Sequence, residues 1–171
     1  MPITWGLLLG AKTRSELVQV RQILEVEAAE LAAGAARLDD FDAMRDAIAR
    51  LERSSDAETA ADADLEFHLA VTRATGNRVL ARLLEGIRSI LRPVFVEALS
   101  EDAVKHRAER YHRAILNAIQ SGNPASARAA MEEHLSFVAE TWLTPPSEPS
   151  DGGPEATAND RHAGETTRKV V

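Results

Sequence analysis

The sequence predicts an all-α protein, an antiparallel bundle of about six helices, and three observations carry that prediction. The apolar fraction of 44% comes mainly from Ala, Leu, Val and Ile, with aromatic residues at only 4%. Glycine and proline are few before residue 144, so long helices are not interrupted. Apolar residues recur at helical spacing in six successive segments, without the β-branched alternation that marks strands. Short turn signals between the segments make neighbours antiparallel. A chain of 171 residues suits one domain with a substantial core.

Residues 1–13 read as an irregular, linker-like lead-in, and residues 14–143 as the helical domain. Thr13 or Ser15 can cap a first helix whose stripe is Leu17, Val20, Leu24, Ala28 and Leu31, ending at Gly34 or just after. Asp39 and Asp40 can cap a second, through Met44, Ile48 and Leu51. A third is expected from about Asp56 to Thr75. Gly76 suits the left-handed position after it, and Asn77 the cap of a fourth helix from about Arg78. Pro93 removes a backbone donor there, predicting a kink or an early end. A fifth helix spans about Glu101 to Ser121. In SGNP, Gly122 ends it, Asn123 caps the next and Pro124 takes the first-turn position. The sixth runs to about Trp142. Residues 144–171, rich in Pro, Gly, Ser, Thr and charge, are expected to be a disordered tail.

The net charge of −7 leaves no broad basic surface for phosphates, so these residues are not expected to bind nucleic acid directly. Cysteine is absent, which excludes disulfides, thiolate catalysis and Cys-ligated zinc; any metal would be held by His and carboxylates. ITWGLLLG is too short to span a bilayer and lacks a basic n-region and cleavage site, so a cytoplasmic protein with no membrane partner is expected.

The stretch DADLEFHLAV sets Asp64 and His68 one turn apart on the inward side of the third helix, where both can reach one ion. A solvated Asp beside a satisfied core His is the plain alternative. His112 and His134 lie equally far on either side of Asn123, so in an antiparallel hairpin they come to the same height, both facing inward. Burying three imidazoles and a carboxylate is costly unless they satisfy one another or hold an ion. One divalent metal accounts for all four, and this donor set suits Zn, Ni, Mn, Fe or Co. His106, in the polar KHRAER, and His162, in the tail, fall outside the set. Arg21 sits on the apolar side of the first helix, either paired with a carboxylate such as Glu25 or receiving the carboxylate of a bound acid.

The segments LVQVRQILEVEAAELAA, DLEFHLAVTRATGNRVL and YHRAILNAIQSGNPASARAAMEEHL, in that order, resemble the FCD effector-binding domain of FadR-type GntR bacterial transcription regulators. The resemblance covers about residues 14–142. It implies a bundle with a central cavity in which a small carboxylate metabolite binds beside a metal held by Asp64, His68, His112 and His134. It also implies effector contacts from Arg21 and Asn77, the latter equally a helix cap, and a homodimer. Members carry an N-terminal winged helix-turn-helix for which these residues have no room. A fragment, a misassigned start and a stand-alone domain all fit, and DNA binding would belong to that absent part. A sensor domain, not an enzyme, is therefore expected. The alternatives are a metal-dependent enzyme, which lacks an obvious second inward base, and a structural helical module.

Overall fold

A computed structural model of the chain describes residues 11–143. The tail, His162 and residues 1–10 of the lead-in lie outside the described residues. Among the described residues six helices follow one another: α1 Ala11–Ala35, α2 Leu38–Arg53, α3 Ala57–Ala74, α4 Arg78–Ala98, α5 Asp102–Gln120 and α6 Pro124–Leu143. Among the described residues there is no strand, and no helix is long and apolar enough to cross a membrane. The fold is an all-α bundle in which α1 packs mainly on α6, α2 on α3, α3 on α4 and α5 on α6.

Most helix ends follow local chemistry. Asp56 caps α3, accepting from the Thr59 N–H at 2.8 Å, and Asn77 caps α4, accepting from the Val79 and Leu80 N–H groups at 3.1 Å each. At the α5–α6 turn, Gly122 adopts φ 65°, Asn123 accepts from the Ser126 N–H, and Pro124 opens α6. That left-handed backbone penalises a side chain, so Gly122→Ala is expected to cost about 1–2 kcal/mol. Urea unfolding checks this.

Four local expectations are corrected. α1 begins at Ala11, ahead of Thr13. Arg37, not Asp39 or Asp40, takes the cap position of α2; Asp40 lies in the first turn, where it accepts from the Arg37 N–H at 2.8 Å and complements the helix dipole. α4 does not stop at Pro93 but runs to Ala98, because Leu91, Val94 and Phe95 bury their side chains on both sides of the proline. The fourth correction concerns which face of α1 is inward. Of the expected stripe Ala28 is buried and Leu17 and Leu24 are half-buried, but Val20 and Leu31 are exposed, while Val18, Arg21, Glu25, Ala29 and Ala32 are buried. The inward face is thus shifted towards Arg21 and Glu25 by less than one residue's 100°.

Among the described residues, two apolar clusters make the core. One gathers Val26, Met44, Ile48, Phe67, Val71, Ile115, Met131 and Leu135. The other gathers Val18, Leu51, Leu65, Leu91, Phe95, Val138 and Trp142. Asp64, His68 and His134 alternate along α3 and α6 with members of both clusters, so the buried polar groups lie where the clusters meet.

Candidate metal and effector site

Four helices deliver six polar side chains to one place, each buried: Arg21 and Glu25 from α1, Asp64 and His68 from α3, His112 from α5 and His134 from α6. The helical period stacks Asp64 over His68, and the mirror placement about Asn123 brings the His112 and His134 rings to 5.0 Å between centroids. One ring nitrogen from each of His68, His112 and His134 lies within 4.8 Å of the others. Asp64 lies beside two of the three, Oδ1 3.3 Å from His112 Nε2 and Oδ2 3.7 Å from His68 Nε2, but the mutually close group is made by the histidines alone.

His68 is held from both sides. Its Nδ1 lies 2.7 Å from Glu25 Oε2, short but off the ideal hydrogen-bond line, and its Nε2 lies 3.3 Å from an Arg21 nitrogen that can only donate. The proton therefore belongs on Nδ1, facing Glu25, and the lone pair on Nε2, facing Asp64 and His134, the latter at 3.2 Å. This is the arrangement by which a carboxylate orients a ligating imidazole. Phe67 stacks on His112 at 4.0 Å between centroids and fixes that ring.

The charges are tuned by burial. Burial raises the Asp64 carboxyl to about 6, against the opposing pull of His68 and Arg21. Burial also favours a protonated Glu25, but Arg21 and His68 together outweigh it and hold that carboxyl well below the usual carboxylate range. His112 and His134 are pushed well below the ordinary imidazole value, first by burial and then by neighbouring positive groups, and so are neutral at physiological pH.

Both ring nitrogens of His112, Nδ1 of His134, Oδ2 of Asp64 and one terminal nitrogen of Arg21 are buried without a hydrogen-bond partner. So many unmet groups in one place are unusual. A divalent ion fits the set. Two nitrogens at about 2.1 Å from one ion lie about 3.0–3.4 Å apart, which matches the His68–His134 separation. The free space beside these groups is small: about 20 Å³ on the side lined by Asp64, His134, Phe95 and Trp142, room for about one water.

Arg21 forms the pair with Glu25, at 2.7 and 3.3 Å, and its guanidinium lies 4.8 Å from the Phe95 ring centroid and 5.2 Å from that of Trp142. Asn77 is elsewhere: it is exposed and caps α4, in a surface groove with Arg37, Arg73 and Arg78. Loss of a cap of this kind costs about 1 kcal/mol, so Asn77→Ala is expected to lower the melting temperature by a few degrees and leave ligand binding unchanged. His106 is exposed and pairs with Glu109 at 3.1 Å. The residue that sequence reasoning passed over as part of the site is Glu25. Its signal was the i,i+4 spacing from Arg21, which the sequence shows but which reads as an ordinary helix pair.

Known proteins resemble the chain along most of its length. The FCD domain model matches residues 16–137. The HTH-type transcriptional regulator LutR of Bacillus subtilis (strain 168) is 32% identical over 143 residues, covering 80% of this chain and 65% of that protein. The Uxu operon transcriptional regulator of Escherichia coli (strain K12) is 34% identical over 136 residues, covering 75% of this chain and 53% of that protein. Among solved structures, Streptococcus agalactiae GntR superposes with a TM-score of 0.64 at 26% identity, over 74% of this chain and 58% of that one. The chain thus spans between about half and two thirds of the length of these three relatives.

Proposed function

This chain belongs to the FCD domain family, and on that premise we propose that it is the effector-sensing part of a GntR-type transcription regulator, taking a small organic carboxylate at a metal site inside the bundle. The relatives are named as regulators, which agrees with a protein that is not an enzyme. The observation that carries the metal reading is the orientation of His68: Nδ1 faces Glu25, and the Nε2 lone pair faces Asp64 and His134.

Asp64, His68, His112 and His134 would hold one ion of the Zn, Ni, Mn, Fe or Co type. Such an ion, when bound, supplies positive charge and open coordination positions for a ligand's oxygens. Arg21 supplies the second anchor, since one of its terminal nitrogens is buried without an acceptor and its planar fork matches a carboxylate. The space beside the site is too small for a metabolite, so effector entry has to move α4 or α6 outward. That requirement couples binding to helix position and makes the response a population shift. DNA would be contacted, in the cytoplasm, by a winged-helix part outside these residues, whose own net charge of −7 offers no broad basic surface to phosphates.

Calorimetry on chelator-stripped and metal-loaded protein, with a panel of small carboxylates, tests the reading. Carboxylate binding is expected in the loaded form alone. Equal binding in both forms, or less than about a tenth of an equivalent of metal after reconstitution, would overturn it.

The site also predicts a pH dependence. Asp64 must give up a proton to ligate, and its carboxyl titrates near 6, whereas His112 and His134 are already neutral. Metal affinity is therefore expected to fall roughly tenfold per pH unit below about 6 and to level off above it. Metal titrations between pH 5 and 7.5 read this out. Glu25→Gln, which removes the charge behind His68 Nδ1, is expected to weaken metal binding by about 10- to 100-fold.

A further inference from the structure

We propose that the carboxylate taken at this site carries a short hydrocarbon chain, with no hydroxyl beyond the carbon next to the carboxylate, and that the chain lies against Phe95, Val138 and Trp142. The inference rests on the sensor reading and narrows its ligand class.

Among the described residues two small spaces flank the buried polar groups, and their walls set what a ligand would meet. The larger, about 20 Å³, opens beside Asp64 and His134 and is walled by Phe95, Leu99, Val104, Phe137, Val138 and Trp142. The smaller, about 10 Å³, lies beside Arg21, Glu25 and His68 and is walled by Leu65, Leu69, Leu84 and Leu91. Apart from the site's own charged groups, both walls are hydrocarbon and aromatic ring almost throughout. Two side chains depart from this. Thr141 lines the larger space, but its hydroxyl already donates to the Phe137 carbonyl at 3.0 Å. The Trp142 indole N–H is a single donor, on a ring packed against Phe95 and the Arg21 guanidinium.

The polar groups of the site have their uses at one end of a ligand. The ion and Arg21 would take the carboxylate, and an oxygen on the adjacent carbon could still reach an open position on the ion. Glu25 is already held by Arg21 and His68. A hydroxyl further along the chain would give up its hydrogen bonds to water for a wall that replaces almost none of them. A methylene at the same place gains from burial. Selectivity therefore comes from what the wall lacks. The same packing limits length. Phe95, Val138 and Trp142 are core residues in their own right, so a long chain would have to force the core apart.

Calorimetry on the metal-loaded full chain is expected to show affinity rising about threefold per carbon from acetate to propionate to butyrate. It is expected to show 3,4-dihydroxybutyrate binding at least about tenfold more weakly than butyrate, and octanoate no more tightly than butyrate. The chain has two tryptophans, so in a Trp5→Phe variant the fluorescence reports Trp142 alone. At saturation butyrate is expected to change that emission more than acetate does. The two readings fail differently. If no carboxylate of the series binds, the sensor reading falls and this inference with it. If they bind, but with butyrate no tighter than acetate or 3,4-dihydroxybutyrate, with octanoate tighter than butyrate, or with the same Trp142 emission for acetate and butyrate, the sensor reading stands and this inference is overturned.

Discussion

Replacing His134 with Ala is expected to lower the transition-metal content of untagged protein from about one equivalent to below about a tenth. His134 lies 3.2 Å from His68 Nε2, is fully buried, and projects from the middle of α6 into the groups supplied by α3 and α5. Outer-shell partners of a metal ligand are worth about 10- to 100-fold in affinity, and removing a ligand itself costs more. The variant should also lose metal-dependent stability. An ion present at about a thousand times its dissociation constant adds about 4 kcal/mol to a fold that alone binds it, so unsubstituted protein should melt higher with metal than without, and the His134→Ala variant should not. Elemental analysis with paired melting curves measures both effects. Full metal retention would refute the assignment of His134 as a ligand.

Phe67→Ala is expected to remove about 3–5 kcal/mol of folding stability, a third or more of what many domains possess. The side chain is completely buried in the cluster that joins α1, α2, α3, α5 and α6, so no relaxation from solvent can fill the space it leaves. It also stacks on His112, nearly parallel at 4.0 Å. Loss of the ring therefore frees a ligand as well as opening a cavity. Phe67→Leu separates the two effects: it should restore most of the stability, since volume is largely kept, yet still weaken metal binding because no ring face supports His112. Urea unfolding together with metal titration distinguishes these outcomes.

Much of this architecture could be read along the chain because its causes are local. Gly76–Asn77 and Gly122–Asn123–Pro124 end one helix and start the next through backbone conformation and side-chain capping within a few residues. Asp64 and His68 had to share a face once α3 was a helix, and His112 had to meet His134 once the turn at Asn123 closed. The early end allowed at Pro93 does not occur, because a missing backbone bond is a local cost that distant packing outweighs.

The rotation of α1 has no such local cause. Leu17, Val20, Leu24 and Leu31 are more apolar than Arg21 and Glu25, and a pattern of hydrophobicity turns them inward. In the assembled bundle Val20 and Leu31 face out, while Arg21 and Glu25 are buried against His68. Hydrophobicity ranks each residue by its own cost of leaving water, but a guanidinium, a carboxylate and an imidazole that meet in the interior offset much of that cost for one another. The helices, their order and the histidine pair across the hairpin thus follow from short-range chemistry. The inward face of α1, the part Glu25 plays behind His68, and the narrowness of the space beside the site arise when four helices bring their side chains to one point.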